Sequence, residues 1–334
     1  MIIDIHAHLY PRSAVAAERG RGWWYGSRVW RDDDGRPAVT TGERTVVLGS
    51  SHHYDSLEVR ADRMSQLGID HQVLSLLPPL YRYELDPIIA TEAAKAVNDE
   101  LAESGFQSSQ AFSALGTLPL QDVDASLKEL DRVVRTGDLA GVAVGTHVAG
   151  RNWDDPRLFP LLEALADLEC LVLLHPSAPR AHSIPQGHHL GNLLGNPWET
   201  TVAFASLVFS GVLDRLPTLR LCLAHGGGYV AFAVGRMDHG WSERGDVRAG
   251  VEHPPSDYLS RVYFDSLTHD PRALRLLLDI GGGDRVVLGT DFPADMGQLD
   301  AVEQLRVNPL LSVSERDAIL SHNPTRLLSR ERAA

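Results

Sequence analysis

The stretch MIIDIHAHLYP (residues 1–11) sets the reading of this chain. It is an apolar run that ends in His6-Ala7-His8, and successive side chains of a strand point to opposite faces. His6 and His8 therefore share a face. Two imidazoles placed so, at the end of an apolar strand, form a ready chelate for a cation. An open, doubly wound sheet would carry a glycine-rich phosphate turn after its first strand. Here that position holds His-Ala-His.

Outward from this strand, short apolar runs recur. With Ile2–Leu9 they make eight: Gln72–Leu77, Phe112–Thr117, Gly141–Thr146, Leu171–His175, Arg220–His225, Val262–Ser266 and Val286–Thr290 complete the set. Most are rich in Val, Ile and Leu rather than alternating, as parallel strands buried on both faces should be. The segments Leu57–Leu67, Pro87–Glu103, Asp122–Arg135, Pro156–Leu168, Glu199–Leu216 and Pro271–Asp279 place apolar residues at helical spacing. Several begin with Asp or Pro and end near Gly. Eight strand–helix repeats predict a closed (β/α)8 TIM barrel, one domain over residues 1–334. The tail after Ser312 reads as a terminal helix and a frayed charged end.

One stretch breaks the alternation. Residues 11–55 hold Trp23, Trp24, Tyr25 and Trp30, then Asp34-Gly35 between two short β-like runs. That dipeptide signals a hairpin. The expectation is a small inserted hairpin after the first strand, placed over the barrel mouth, where its aromatic residues would exclude water.

Barrel enzymes keep functional groups at the C-terminal ends of their strands. The first, fifth, sixth and eighth strands end in His6 and His8, His175, His225 and Asp291. In a closed barrel these ends converge. Three imidazoles and a carboxylate suit one borderline divalent ion such as zinc. His6, His8, His175 and Asp291 suffice as ligands, which leaves His225 to take and return a proton beside the ion. The glycines of His225-Gly-Gly-Gly228 would let backbone and ligand approach closely.

These residues resemble the amidohydrolase superfamily, and within it the branch typified by aminocarboxymuconate-semialdehyde decarboxylase. The matching stretches are DIHAHLYP (4–11), GVAVGTHV (141–148), HP (175–176), NPWETTVA (196–203), LAHGGGYVAFAVGRMDHGW (223–241), DSLTHDPRALRLL (265–277) and LGTDFP (288–293). The resemblance implies a zinc ion on His6, His8, His175 and Asp291, with His225 as acid/base and Asp291 also counted in the catalytic set. It implies that Arg236 binds a substrate carboxylate across a homodimer interface. The expected reaction is non-oxidative decarboxylation of a small unsaturated or aromatic acid; hydrolysis or hydration on the same parts is the alternative. This chain departs from the family pattern in the substrate shell. Ser51 aligns with a second carboxylate-binding arginine, to which Arg44 is near but out of register. Ser177 stands where the family has Trp. His52 and His53 lie in the altered segment and read as exposed loop residues, with pocket residues as the alternative.

Composition narrows the partners. A net charge of −13 argues against a nucleic-acid partner. No run reaches the ~20 apolar residues that span a bilayer, and no leader pattern precedes the first strand. Cys170 and Cys222 lie in or beside apolar segments, as buried free thiols do, and a reducing cytoplasm is expected.

Overall fold

The computed structural model describes residues 1–107, 111–135, 139–177, 180 and 187–329. The charged end expected at residues 330–334 lies outside them. Eight parallel strands form one sheet: β1 (Ile3–Leu9), β6 (His71–Leu76), β7 (Phe112–Gly116), β8 (Gly141–Gly145), β9 (Leu171–His175), β10 (Arg220–Leu223), β11 (Tyr263–Asp265) and β12 (Val286–Val287). The sheet closes on itself. Ile5 N donates to Leu288 O at 2.9 Å, Asp291 N to His6 O at 2.8 Å and His8 N to Phe292 O at 2.7 Å. With helices around it, this is the (β/α)8 barrel that the repeats predict.

The helices form where the sequence places caps and apolar stripes. The helix Pro271–Gly281 begins at Asp270, whose carboxylate accepts from Arg272 N and Ala273 N. It buries Leu274, Leu277, Leu278 and Gly281, a stripe at three- and four-residue spacing. Asp122 caps the helix Val123–Leu130 in the same way. Both cysteines are buried.

The strand ends are shorter than predicted where chemistry begins. β10 stops at Leu223, two residues before His225, and β12 stops at Val287. His225 and Asp291 both adopt positive φ, 57° and 56°. A non-glycine residue is held there only by its surroundings, at a cost of ~1–3 kcal/mol. The chain turns sharply at these points, which re-aims both side chains.

The insertion is larger than the single hairpin expected. It holds a helix (Arg12–Arg19) and a four-stranded antiparallel sheet, β2 (Trp23–Trp24), β3 (Ser27–Arg31), β4 (Pro37–Thr41) and β5 (Arg44–Val47). The predicted Asp34-Gly35 turn joins β3 to β4, with Gly35 at φ 77°. The outer strands span only two and four residues, too few for periodicity to reveal. Arg82 fastens the sheet to the barrel. Its guanidinium donates to Trp24 O, Tyr25 O and Ser27 Oγ and lies 4.4 Å over the Trp24 ring.

Candidate metal centre and cavity

The strand ends bring His6, His8, His175 and Asp291 together, all buried, with one ligand atom from each inside a 4.8 Å cluster. His6 Nε2 and His8 Nε2 are 3.1 Å apart. Asp291 Oδ1 lies 2.9 Å from His8 Nε2, 3.3 Å from His6 Nε2 and 4.0 Å from His175 Nε2.

The other ring nitrogens decide what these atoms can do. His6 Nδ1 is 2.6 Å from Asp265 Oδ2, and His175 Nδ1 is 2.7 Å from Pro176 O. Both partners only accept, so both Nδ1 atoms carry the proton. His8 Nδ1 is 2.9 Å from Ser75 Oγ, whose own hydroxyl donates to Ala7 O. That serine therefore accepts from His8. Three Nε2 lone pairs are left aimed at one point beside a carboxylate. His175 Nε2 is buried without a hydrogen-bond partner. An orphaned buried acceptor in a three-imidazole, one-carboxylate set fits a divalent cation. Fixing the tautomer through Nδ1 is how protein metal sites orient their histidines.

Electrostatics agree. Burial dominates at His8, whose pKa falls to about 4, and at His175, which falls well below the ordinary imidazole range. Both are neutral at pH 7, as ligands must be. Burial also opposes charge on His6, but Asp291 and Asp265 outweigh it and raise its pKa to about 10. The two carboxylates pull positive charge to this point, and a bound cation would supply it in place of the proton. Burial works against the Asp291 carboxylate, yet the surrounding imidazoles hold its pKa well below the usual range.

His225 stands beside this set. Its Nε2 is 3.5 Å from Asp291 Oδ2, and its Nδ1 is buried without a partner. Its main-chain N–H donates to Asp265 Oδ2 at 2.8 Å, while Gly226 N and Leu267 N donate to Oδ1. Asp265 thus positions both His6 and the turn that carries His225. No role was expected for it: it ends the seventh strand, and only the folded barrel shows its partners. Asp4 does similar work below, joining Thr290 and Gln72 to the His6 main chain. The glycines after His225 serve protein rather than ligand packing. A Cβ at Gly228 would collide with the Pro197 carbonyl, and one at Gly227 with Phe264.

The cluster opens into a cavity of about 790 Å³. His8, His175, His225 and Asp291 form its floor, and β5 with the following residues to Gly49 forms one wall. Trp23, Trp24, Tyr25 and Trp30, expected over the mouth, are not among the described lining residues. Trp24 is instead buried in the join between insertion and barrel. His53, read as an exposed loop residue or, alternatively, a pocket residue, is buried and lines the cavity, and burial lowers its pKa to about 3. His52 is half-exposed and stacks on Phe292. Arg236 is exposed on the helix Val230–Glu243 and does not reach this chain's own cavity. Arg44 does line it.

Comparisons with known proteins agree with the architecture. The amidohydrolase family model matches residues 3–330. The chain is 33% identical to 2-amino-3-carboxymuconate-6-semialdehyde decarboxylase of Dictyostelium discoideum, over 98% of this chain and 91% of that protein. It is 31% identical to gamma-resorcylate decarboxylase of Rhodococcus jostii, over 72% and 78%. The apo structure of Metarhizium anisopliae IDCase superposes with a TM-score of 0.84 at 27% identity, covering 98% of this chain and 97% of that one. With the family model spanning nearly its whole length, this chain belongs to the amidohydrolase family.

Proposed function

We propose that the protein is a metal-dependent carboxy-lyase that removes CO2, without oxidation, from a small unsaturated or aromatic carboxylic acid. The observation that carries this reading is the placement of His225. It sits at the cavity floor, 3.5 Å from Asp291, beside a site whose three Nε2 lone pairs converge. The relatives named as decarboxylases support the reaction class.

A divalent ion held by His6, His8, His175 and Asp291 supplies Lewis-acid stabilisation of charge developing on the substrate. The protein residues do the rest. The floor places the carboxylate-bearing carbon against His225. When the bond to the carboxylate breaks, CO2 leaves and the electron pair stays on carbon. His225 holds the proton that replaces CO2.

Zinc is the ion we favour, from the three-imidazole donor set. Metal analysis of the purified protein, with zinc and manganese reconstitution, tests this. The partner we favour is a second copy. On the helix Val230–Glu243, Phe232 is 87% exposed, one turn before exposed Arg236 on the same face. A homodimer would cover the ring and carry Arg236 toward a neighbour's substrate carboxylate. Mixing Arg236→Ala with His225→Ala subunits should restore activity; none in verified mixed dimers defeats this. The two buried, unbridged thiols support a reducing cytoplasm, and no described helix is long and apolar enough to cross a membrane.

The reaction is tested by CO2 release from a panel that includes 2-amino-3-carboxymuconate 6-semialdehyde and gamma-resorcylate. His225→Ala should lower turnover ~10²–10⁴-fold at unchanged metal content. Opening of amides or lactones, or hydration of a double bond, with no CO2 from any acid would overturn the proposal.

A further inference from the structure

One imidazole of the cavity takes no part in the metal centre. His53 is 6% exposed, and what is open of it faces the cavity that it lines. Its Nδ1 is buried without a hydrogen-bond partner, and among the described residues the ring makes no hydrogen bond or ion pair. The ring of Tyr10 stands edge-on to it at 6.4 Å, and the Tyr10 hydroxyl is likewise buried without a partner. A buried polar ring left unpaired is a cost to the fold, and each such group calls for a partner that the fold itself does not supply.

The turn that carries His53 is pinned on both sides of it. In Ser51–Tyr54, His52 N donates to the Ser50 hydroxyl at 3.1 Å and the His52 ring stacks on Phe292, next to Asp291. Tyr54 OH donates to Glu18 Oε2 at 2.6 Å, which ties the turn to the insertion. His53 is therefore held by its neighbours without the use of its own ring. Burial keeps that ring neutral, and a neutral imidazole offers one donor and one acceptor. It shares with His8, His175 and Asp291 a cavity of about 790 Å³, in the upper part of the ~300–1,000 Å³ range of small-molecule sites. One molecule can reach both the metal pole and His53.

We propose that His53 is a specificity-determining residue, whose ring hydrogen-bonds an uncharged oxygen, a hydroxyl or a carbonyl, on a substrate whose carboxylate lies at the metal pole. A neutral ring lacks the charge that makes a bond to a carboxylate strong, so the group it selects is uncharged. Selectivity comes from the penalty on the wrong ligand. A substrate with the oxygen pairs the ring, and one with a methyl group in its place leaves the ring unpaired and covered. Because the turn is already fixed, binding costs little rearrangement. This inference rests on the carboxy-lyase reading for the fate of the carboxylate, but not for the binding of the second group.

Binding and turnover separate the two. The metal-loaded protein is titrated calorimetrically with 3-hydroxybenzoate, 4-hydroxybenzoate and 3-acetylbenzoate, against 3-methylbenzoate, 4-methylbenzoate and 3-isopropylbenzoate. Substituents next to the carboxylate are avoided because a 2-hydroxyl would chelate the metal. The wild type should bind the polar member of at least one pair about 5- to 100-fold more tightly than its apolar partner, the range for a buried hydrogen-bonding group left unpaired. His53→Phe should erase that ratio at unchanged metal content, and His53→Gln should keep part of it. If His53→Phe does not fold, His53→Leu takes its place with the same expectation. A purely structural role would weaken both members of a pair alike and so overturn the proposal. No preference in the wild type, or the same preference in the apolar variant, also overturns it. CO2 release whose substrate preference is indifferent to His53 would defeat this inference and leave the carboxy-lyase standing. A His53-dependent preference without CO2 release from any acid would do the reverse.

Discussion

On the cavity floor, His6, His8 and His175 each have one ring nitrogen tied to a partner, Asp265, Ser75 and the Pro176 carbonyl. Their other nitrogens have nowhere to aim but the convergence point. On the inserted wall, β5 alternates half-buried and exposed residues, and among the described residues the Arg44 side chain makes a single hydrogen bond. The floor is over-determined by barrel closure, and the wall is fastened at a few points. The difference teaches where chemistry and selectivity reside. A reacting centre must be held to within fractions of an ångström, so it sits on strands. A substrate-selecting wall can change with little cost to the fold, so it sits on an insertion.

The comparison can be broken most severely at Asp291. Asp291→Ala should leave the purified protein without stoichiometric metal and lower CO2 release by roughly 10⁴-fold, the joint loss of charge stabilisation and proton transfer. Elemental analysis and turnover check it. Asp265→Asn probes the support of the floor. It should weaken metal affinity by ~10–100-fold, read by competition with a chelator, while the wall stays closed. Equal metal affinity would mean that the floor does not depend on its second layer.

Loosening the wall should do the opposite. Arg82→Ala removes the donors to the Trp24 and Tyr25 carbonyls and the guanidinium from the Trp24 ring. A local cost of ~2–4 kcal/mol should appear as faster hydrogen exchange in residues 23–47 and a raised KM, with metal content unchanged. Lost metal would show that wall and floor are one cooperative unit. The smallest effect belongs to a site in neither region. Glu315 caps its helix reciprocally with Ser312 and receives Arg275 at 2.7 Å. Its main-chain bond to Ser312, then Arg275, lowers its pKa from 4.5 to about 2. The unfolded chain takes up this proton first. The stabilisation is therefore full above pH ~4.5 and fades as pH falls toward 2. Glu315→Ala should cost about 1 kcal/mol at pH 7, and the difference in Tm should shrink between pH 5 and 2.

How much was legible follows from how far each signal reaches along the chain. The eight strands and the metal set could be read because burial on two faces and a period of two are properties of a few consecutive residues. The middle hairpin of the insertion was legible at Asp34-Gly35 for the same reason. Its outer strands were not, because two or four residues carry no period. Asp265 was invisible because its meaning is a contact with His6, 259 residues away. Arg44 meets Ser177 across 133 residues. His53 could be read as loop or pocket, and only the fold placed it in the cavity wall.

By itself, the sequence determined the barrel, the donor set at its strand ends and the proton-transfer candidate, since each follows from which side chain stands at the end of which apolar run. Only the tertiary structure decided the tautomer of each ligand, the partner of each carboxylate and which side chains of the insertion line the cavity. Those depend on register and loop path, which bring together atoms that no local pattern relates.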